Sequence, residues 1–177
     1  MSSRMRRAAL TLHLTVSVGW IGALVAYLAL DIAVATRTDD WTLRAGYVAM
    51  DVILREVILP LALTSLATGL VMSLGTAWGL FRHYWVAISF MLTVFAVAVL
   101  LLQLPRVSYI ASIAANPSAS RDGLRALGST LPHSVGGTIL LLLVLVLNVY
   151  KPPGLTPYGW RKLRPGRPDV PPSSRSV

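Results

Sequence analysis

His13-Leu14-Thr15-Val16-Ser17-Val18-Gly19-Trp20-Ile21-Gly22-Ala23-Leu24-Val25-Ala26-Tyr27-Leu28-Ala29-Leu30-Asp31 is the stretch that decides the fold. It contains no Lys or Arg and lies inside an apolar run from about 8 to 35. A helix rises about 1.5 Å per residue and needs about 20 residues to cross the hydrocarbon core of a bilayer, so this run is long enough to span one. Three further runs follow, at about 52–75, 84–104 and 135–150. The last is short and must borrow residues from its flanks. The second has scope to begin earlier, because Trp41 to Arg55 carries no breaker except Gly46. The expected fold is therefore all-α: a four-helix transmembrane bundle over residues 1–150, with extramembrane outer loops. A basic, proline-rich tail over 151–177 is expected to be disordered.

Composition agrees with lipid as the main solvent. Of 177 residues, 55% are hydrophobic and only 13% are charged, against about 25% charged in ordinary soluble domains. There is no cysteine, which excludes disulfides, thiolate metal sites and cysteine nucleophiles. The opening Met-Ser-Ser-Arg-Met-Arg-Arg resembles the basic start of a signal peptide. The apolar run that follows continues too far and lacks a small-residue cleavage site, so it is read as a retained first helix.

The net charge of +9 is segregated by topology, which argues against nucleic acid as a partner. With the N-terminus inside, ten of the sixteen Lys and Arg fall on the inner side and six on the outer; the acids leave the two sides at +9 and 0. Lys and Arg near membrane helices favour the cytoplasmic face, so both termini are expected there. The tail, with six basic residues and the aromatics Tyr150, Tyr158 and Trp160, suits anionic headgroups of the bilayer.

On the first helix Ser17, Trp20, Leu24, Tyr27 and Asp31 stay within about 40° of His13 at 100° per residue, forming one semi-polar stripe. Polar groups in a membrane face the bundle interior, so the stripe is expected to point inward. His13 and Asp31 lie about 27 Å apart along the axis, near opposite interfaces. The plain reading of His13 is a packed histidine; the sharper one is a cofactor ligand. On the second helix Ser65, Gly69 and Ser73 recur every four residues. Small residues at this spacing let backbones approach closely, which drives helix association in lipid. Pro60 is expected to kink that helix. At the outer ends, Asp51 and Arg55 are placed to pair at i and i+4, leaving Glu56 to seek Arg106 or His133. A solvated network of interface charges is expected there rather than a divalent-cation site. No hydrolase, metalloprotease or phosphate-loop motif is present, so no catalytic residue and no metal ligand is assigned.

The segment His13 to Gly22, with its histidine, Trp20 and Gly22, resembles the first helix of four-helix bacterial membrane proteins that include HemJ-type protoporphyrinogen oxidases and CopD-type copper proteins. The stretch Tyr150-Lys151-Pro152-Pro153-Gly154-Leu155-Thr156-Pro157-Tyr158-Gly159 is similar to that of an actinobacterial family of integral membrane proteins with no assigned activity, and this second likeness covers nearly the whole chain. The resemblance implies a bacterial plasma membrane and, at His13, haem b. Ser17, Trp20 and Tyr27 would then line the site. His83, the only other histidine expected at similar depth, would be the opposing ligand. The lysine that the HemJ pattern places soon after a third-helix tryptophan is absent, since Trp85 is followed by Val86-Ala87-Ile88-Ser89-Phe90; this speaks against porphyrinogen oxidation. The leading expectation is a structural, assembly or interaction subunit with no chemistry of its own, its partner another membrane protein or a second copy. The alternative is a haem-binding redox protein. A small transporter ranks third, because no charge sits in the middle of an apolar run.

Overall fold

The computed structural model describes residues 2–75 and 79–163. Its elements are α1 (Ser3–Thr36), α2 (Asp40–Ile53), a π-helical turn (Leu54–Ile58), α3 (Leu59–Gly75), α4 (Tyr84–Ala114), α5 (Arg121–Ala126), α6 (Leu131–Tyr150) and α7 (Pro157–Leu163). α2, the π turn and α3 run on as one rod, so four helices are long and apolar enough to cross a membrane. They pack in an up-down-up-down ring: α1 against the rod, the rod against α4, α4 against α6, and α6 back against α1. Ser3, Gly75, Tyr84 and Tyr150 mark one end of the bundle, called here the near end. Thr36, Asp40, Ala114 and Leu131 mark the far end.

α1, α2 and α5 start where a side chain satisfies an orphan N–H. Ser2 Oγ accepts from the Met5 amide, Asp39 from Thr42 at 2.8 Å and Ser120 from Gly123 at 3.1 Å, each hydroxyl or carboxylate doing what capping requires. Between α1 and α2 only residues 37–39 intervene, which forces the helices together at the far end. A Cβ added to Gly46 would lie 2.3 Å from Cγ2 of Val34, so this approach needs a glycine.

Two helix boundaries differ from the sequence reading. The second spanning helix begins at Asp40, not near 52, because Leu43, Gly46, Tyr47 and Met50 form a buried stripe at helical spacing. The third continues past Leu104 through Pro105 to Ala114. The proline breaks one backbone bond, but Val107, Ile110, Ala111 and Ala114 are buried, and that packing outweighs the lost bond. Much of the expected outer loop is thus helix. Pro60 acts as anticipated in kind: just before it the rod widens into the π turn, whose wide ring is closed by the Leu59 amide donating to the Leu54 carbonyl. Widening relieves the clash of the proline ring with the carbonyl four residues back.

The tail also departs from a disordered segment as far as residue 163. Leu155 forms an antiparallel bridge with His83. The Tyr84 amide donates to Gly154 at 3.3 Å and the Thr156 amide to Arg82 at 2.9 Å, and Thr156 Oγ1 donates to Phe81. Residues 164–177 of the expected tail lie outside the described residues.

Candidate functional site

The α1 stripe faces inward, as its periodicity requires. Trp20, Tyr27 and Asp31 are buried, and His13, Ser17 and Leu24 are half-buried. The structure divides the stripe into two halves with different partners.

Toward the near end the stripe is stitched to α3. His13 Nδ1 and Thr68 Oγ1 are 2.9 Å apart, and Ser17 Oγ and Ser65 Oγ are 2.8 Å apart. Thr68 also donates to the Thr64 carbonyl at 2.7 Å. With its one hydrogen so used, Thr68 Oγ1 is left to accept from His13, which selects the tautomer protonated on Nδ1. The seam of small residues is therefore real contact surface: Gly69 lies under the His13 ring.

Toward the far end the stripe borders a cavity of about 500 Å³ between α1, α4, α6 and the π turn. Trp20, Leu24 and Tyr27 form one wall, Leu54 and Ile58 of the π turn another, Phe95, Leu100 and Gln103 of α4 a third, and Gly136, Gly137, Leu140 and Leu141 of α6 the fourth. Phe95 and Leu102, both on this wall, are 58% and 79% exposed, so the cavity opens between α4 and α6 onto the surface that lipid would cover. Its polar groups gather toward the far end, where Tyr27, Gln103, Thr130, His133 and Ser134 contribute.

Behind that polar end sits Asp31, only 2% exposed. Its Oδ1 accepts from Thr130 Oγ1 at 2.8 Å and its Oδ2 from Ser134 Oγ at 2.7 Å. Among the described residues the ion pairs are Arg44 with Asp40 and Arg55 with Asp51, so no cation stands within pairing distance of Asp31. The compensation is different: Thr130 caps α6 and Ser134 lies in its first turn, so the carboxyl group faces the positive end of that helix dipole. This explains how a carboxyl group can be buried here with two hydroxyls and no cation.

The other far-end charges are structural. Arg55 Nε donates to Asp51 Oδ1 at 3.0 Å and to Ser108 Oγ at 2.9 Å, joining the rod to α4. Arg44 spans to the carbonyls of Ala114 and Asn116 at 3.2 and 2.7 Å, closing the turn after α4. Glu56 is exposed and pairs with neither Arg106 nor His133; Arg106 instead donates to the Leu127 carbonyl at 3.2 Å. The expected Glu56 partnership is replaced because the π turn separates that part of the rod from the register of an ideal helix.

Of the residues singled out as a cofactor site, Trp20 and Tyr27 line the cavity, whereas His13 and Ser17 face α3 and His83 precedes α4 in the bridge with Leu155. The imidazole on the cavity wall is that of His133. Among the described residues no group of three or more His, Cys, Asp or Glu is placed to hold a metal ion. Sequence reasoning missed Thr130, Ser134 and Gln103. The signal available for the first two was a pair of hydroxyls four residues apart at a helix start, at the depth of Asp31.

Comparison with known protein families, with curated proteins and with solved structures finds no match to this chain.

Proposed function

We propose that this multi-pass protein binds an amphiphile within its membrane-spanning bundle, in the cavity between α1, α4 and α6. The apolar body of the ligand lies along Leu24, Ile58, Phe95 and Leu140, and its polar group reaches Thr130, Ser134 and Gln103. The observation that carries this reading is the graded cavity wall: apolar toward the middle of the bundle, polar at the far end, and open to the lipid-facing surface. Ligand sites are of this kind, mostly apolar with a few convergent polar groups that fix orientation. A lipid-soluble molecule enters such a site sideways, without passing through water.

The cellular setting is part of the proposal. The Lys and Arg split of ten to six supports cytoplasmic termini, the resemblance noted above supports a bacterial plasma membrane, and on this reading the cavity opens in the outer half of the bilayer. A haem site at His13 is less favoured, because that ring is bonded to Thr68 and packed on Gly69 rather than facing the cavity.

The test uses a long-chain alcohol carrying a diazirine in its chain, added to the full-length protein in phosphatidylcholine nanodiscs. Irradiation should label the wall at Phe95, Leu100 or Leu140. Gly136→Phe should suppress that labelling, since Gly136 lines the cavity and an added Cβ there meets nothing within 4 Å. Labelling spread evenly over all lipid-facing helix surfaces, unchanged in Gly136→Phe, would refute the site.

A further inference from the structure

The polar end of the cavity constrains what head group it accepts. A serine or threonine hydroxyl has one hydrogen and two lone pairs. At Thr130 that hydrogen is spent on Asp31. At Ser134 it is spent either on Asp31 or on the Leu131 carbonyl, 3.0 Å away. Both hydroxyls line the cavity, so these two groups offer a ligand lone pairs, while Tyr27, Gln103 and His133 supply the donors of this end.

Asp31 lies directly behind the two hydroxyls, and among the described residues no cation pairs with it. Arg55 of the rod bonds to Asp51 and Ser108, Arg106 of α4 to the Leu127 carbonyl and Arg125 of α5 to the Arg37 carbonyl. What opposes the carboxyl group is the α6 N-terminus, equivalent to about half a charge. At Thr130 and Ser134 an anionic head would meet lone pairs backed by a carboxyl group. An ammonium has three donors and no acceptor, the converse of these two hydroxyls. Tyr27 also lines this end of the cavity, and an aromatic face attracts a cation electrostatically.

From these observations we infer that the ligand is a lipophilic amine, its ammonium held against Thr130 and Ser134 in front of Asp31 and its chain extending toward Trp20 and Leu24. This rests on the cavity being the binding site and adds the chemistry of the head group. Gln103 and His133 border the same end and set the width of the head that fits.

The experiment compares three probes with the same diazirine chain, ending in a primary amine, an alcohol or a sulfate, on the full-length protein in phosphatidylcholine nanodiscs at pH 8. The amine should label the cavity wall at about tenfold lower concentration than the alcohol, the scale of a desolvated cation contact, and the sulfate should label it least. Asp31→Asn should erase the advantage of the amine while leaving labelling by the alcohol. If Asp31→Asn fails to fold, the order of the three probes on the unaltered protein decides. Equal labelling by amine and alcohol, suppressed in both by Gly136→Phe, overturns the amine assignment and leaves the cavity as a site for neutral amphiphiles. Labelling by none of the probes at the cavity wall overturns the site and the amine assignment together.

Discussion

Gly69 lies beneath the ring of His13: a Cβ placed on the glycine would stand 3.1 Å from His13 Cε1. That distance is shorter than ordinary carbon contact, so α1 and α3 pack as closely as their backbones allow at this point, and the His13–Thr68 bond depends on it. Gly69→Ala should be tolerated with a shift of the ring. Gly69→Leu should separate the helices, break the His13–Thr68 bond and cost about 1–3 kcal/mol, the range for overpacking. Thermal unfolding in detergent reads this directly. A Gly69→Leu protein as stable as the parent would mean that this face is not a packed seam.

Removing the hydroxyls around Asp31 should be worse than replacing Asp31 by Asn. The paired change Thr130→Val with Ser134→Ala strands a buried carboxyl group without donors and should cost at least the roughly 1–3 kcal/mol of an unsatisfied buried polar group. Asp31→Asn keeps an acceptor for one hydroxyl and should be milder. In a triple variant that also replaces Asp31 by Leu, part of the loss should return, because no stranded group remains. Strictly additive losses in unfolding experiments would show that Asp31 and the two hydroxyls act independently.

The architecture was legible in the sequence wherever a single physical signal governed it. Uninterrupted apolar length marked four spans, and the 3.6-residue period placed His13, Ser17, Trp20, Tyr27 and Asp31 on the inward face. The boundaries were harder because lipid-spanning length says nothing of a helix that continues into water. α2 is visible only as the amphipathic stripe Leu43, Tyr47 and Met50, and the passage of α4 through Pro105 depends on burial of Val107 and Ile110 against neighbours remote in sequence. The site was half legible. Trp20 and Tyr27 were identified by their face, but the partners of Asp31 lie about a hundred residues away on α6, and no one-dimensional pattern states which helix closes the ring. For the same reason the sequence does not show that His13 Nδ1 bonds to Thr68 or that the open space lies on the other half of the stripe.

Asp39 gives α2 a cap that depends on pH. The Thr42 side chain, and then its amide, hold the Asp39 carboxyl below the ordinary carboxylate value, so the charged cap stabilises the folded protein above that value. Protonation removes this contribution as pH falls through the lowered folded-state value. Asparagine caps nearly as well without titrating. The difference in melting temperature between the parent and Asp39→Asn should therefore be constant from neutral pH down to about 5 and move in favour of the variant below about 4. A difference independent of pH across that range would exclude Asp39 as a titrating cap.

Docking of residues 151–163 on the turn before α4 should fail when the approach of α7 is blocked. A Cβ on Gly159 would lie 2.4 Å from the Arg82 carbonyl oxygen, a clash with backbone that no rotamer change relieves. Gly159→Val should release the segment, and amide hydrogen exchange at Tyr84 and Thr156, whose N–H groups bond to Gly154 and Arg82, should accelerate about tenfold or more as that local opening becomes easier. The helices themselves should keep their protection. Unchanged exchange at both amides would mean that the bridge does not depend on α7.

The orientation is open to a direct test, because α1 begins and α6 ends at the same end of the bundle, whichever side of a membrane that end faces. His13 contacts Thr68 and Asp31 contacts Ser134, so α1 runs antiparallel to both the rod and α6, and an even number of crossings returns the chain to where it began. The ten Lys and Arg on that side against six on the other favour retention of that side in the cytoplasm. A reporter fused after Val177 should behave as cytoplasmic, and one inserted beside Ser118, in the turn between α4 and α5, as external. Replacing Arg4, Arg6 and Arg7 by neutral residues removes the charges next to α1, yet the basic residues near α4 and after α6 still act, so a mixed population is expected rather than full inversion. External activity of the C-terminal fusion in the unaltered protein would reverse the assignment and would place the cavity in the inner half of the bilayer, changing which leaflet supplies its ligand.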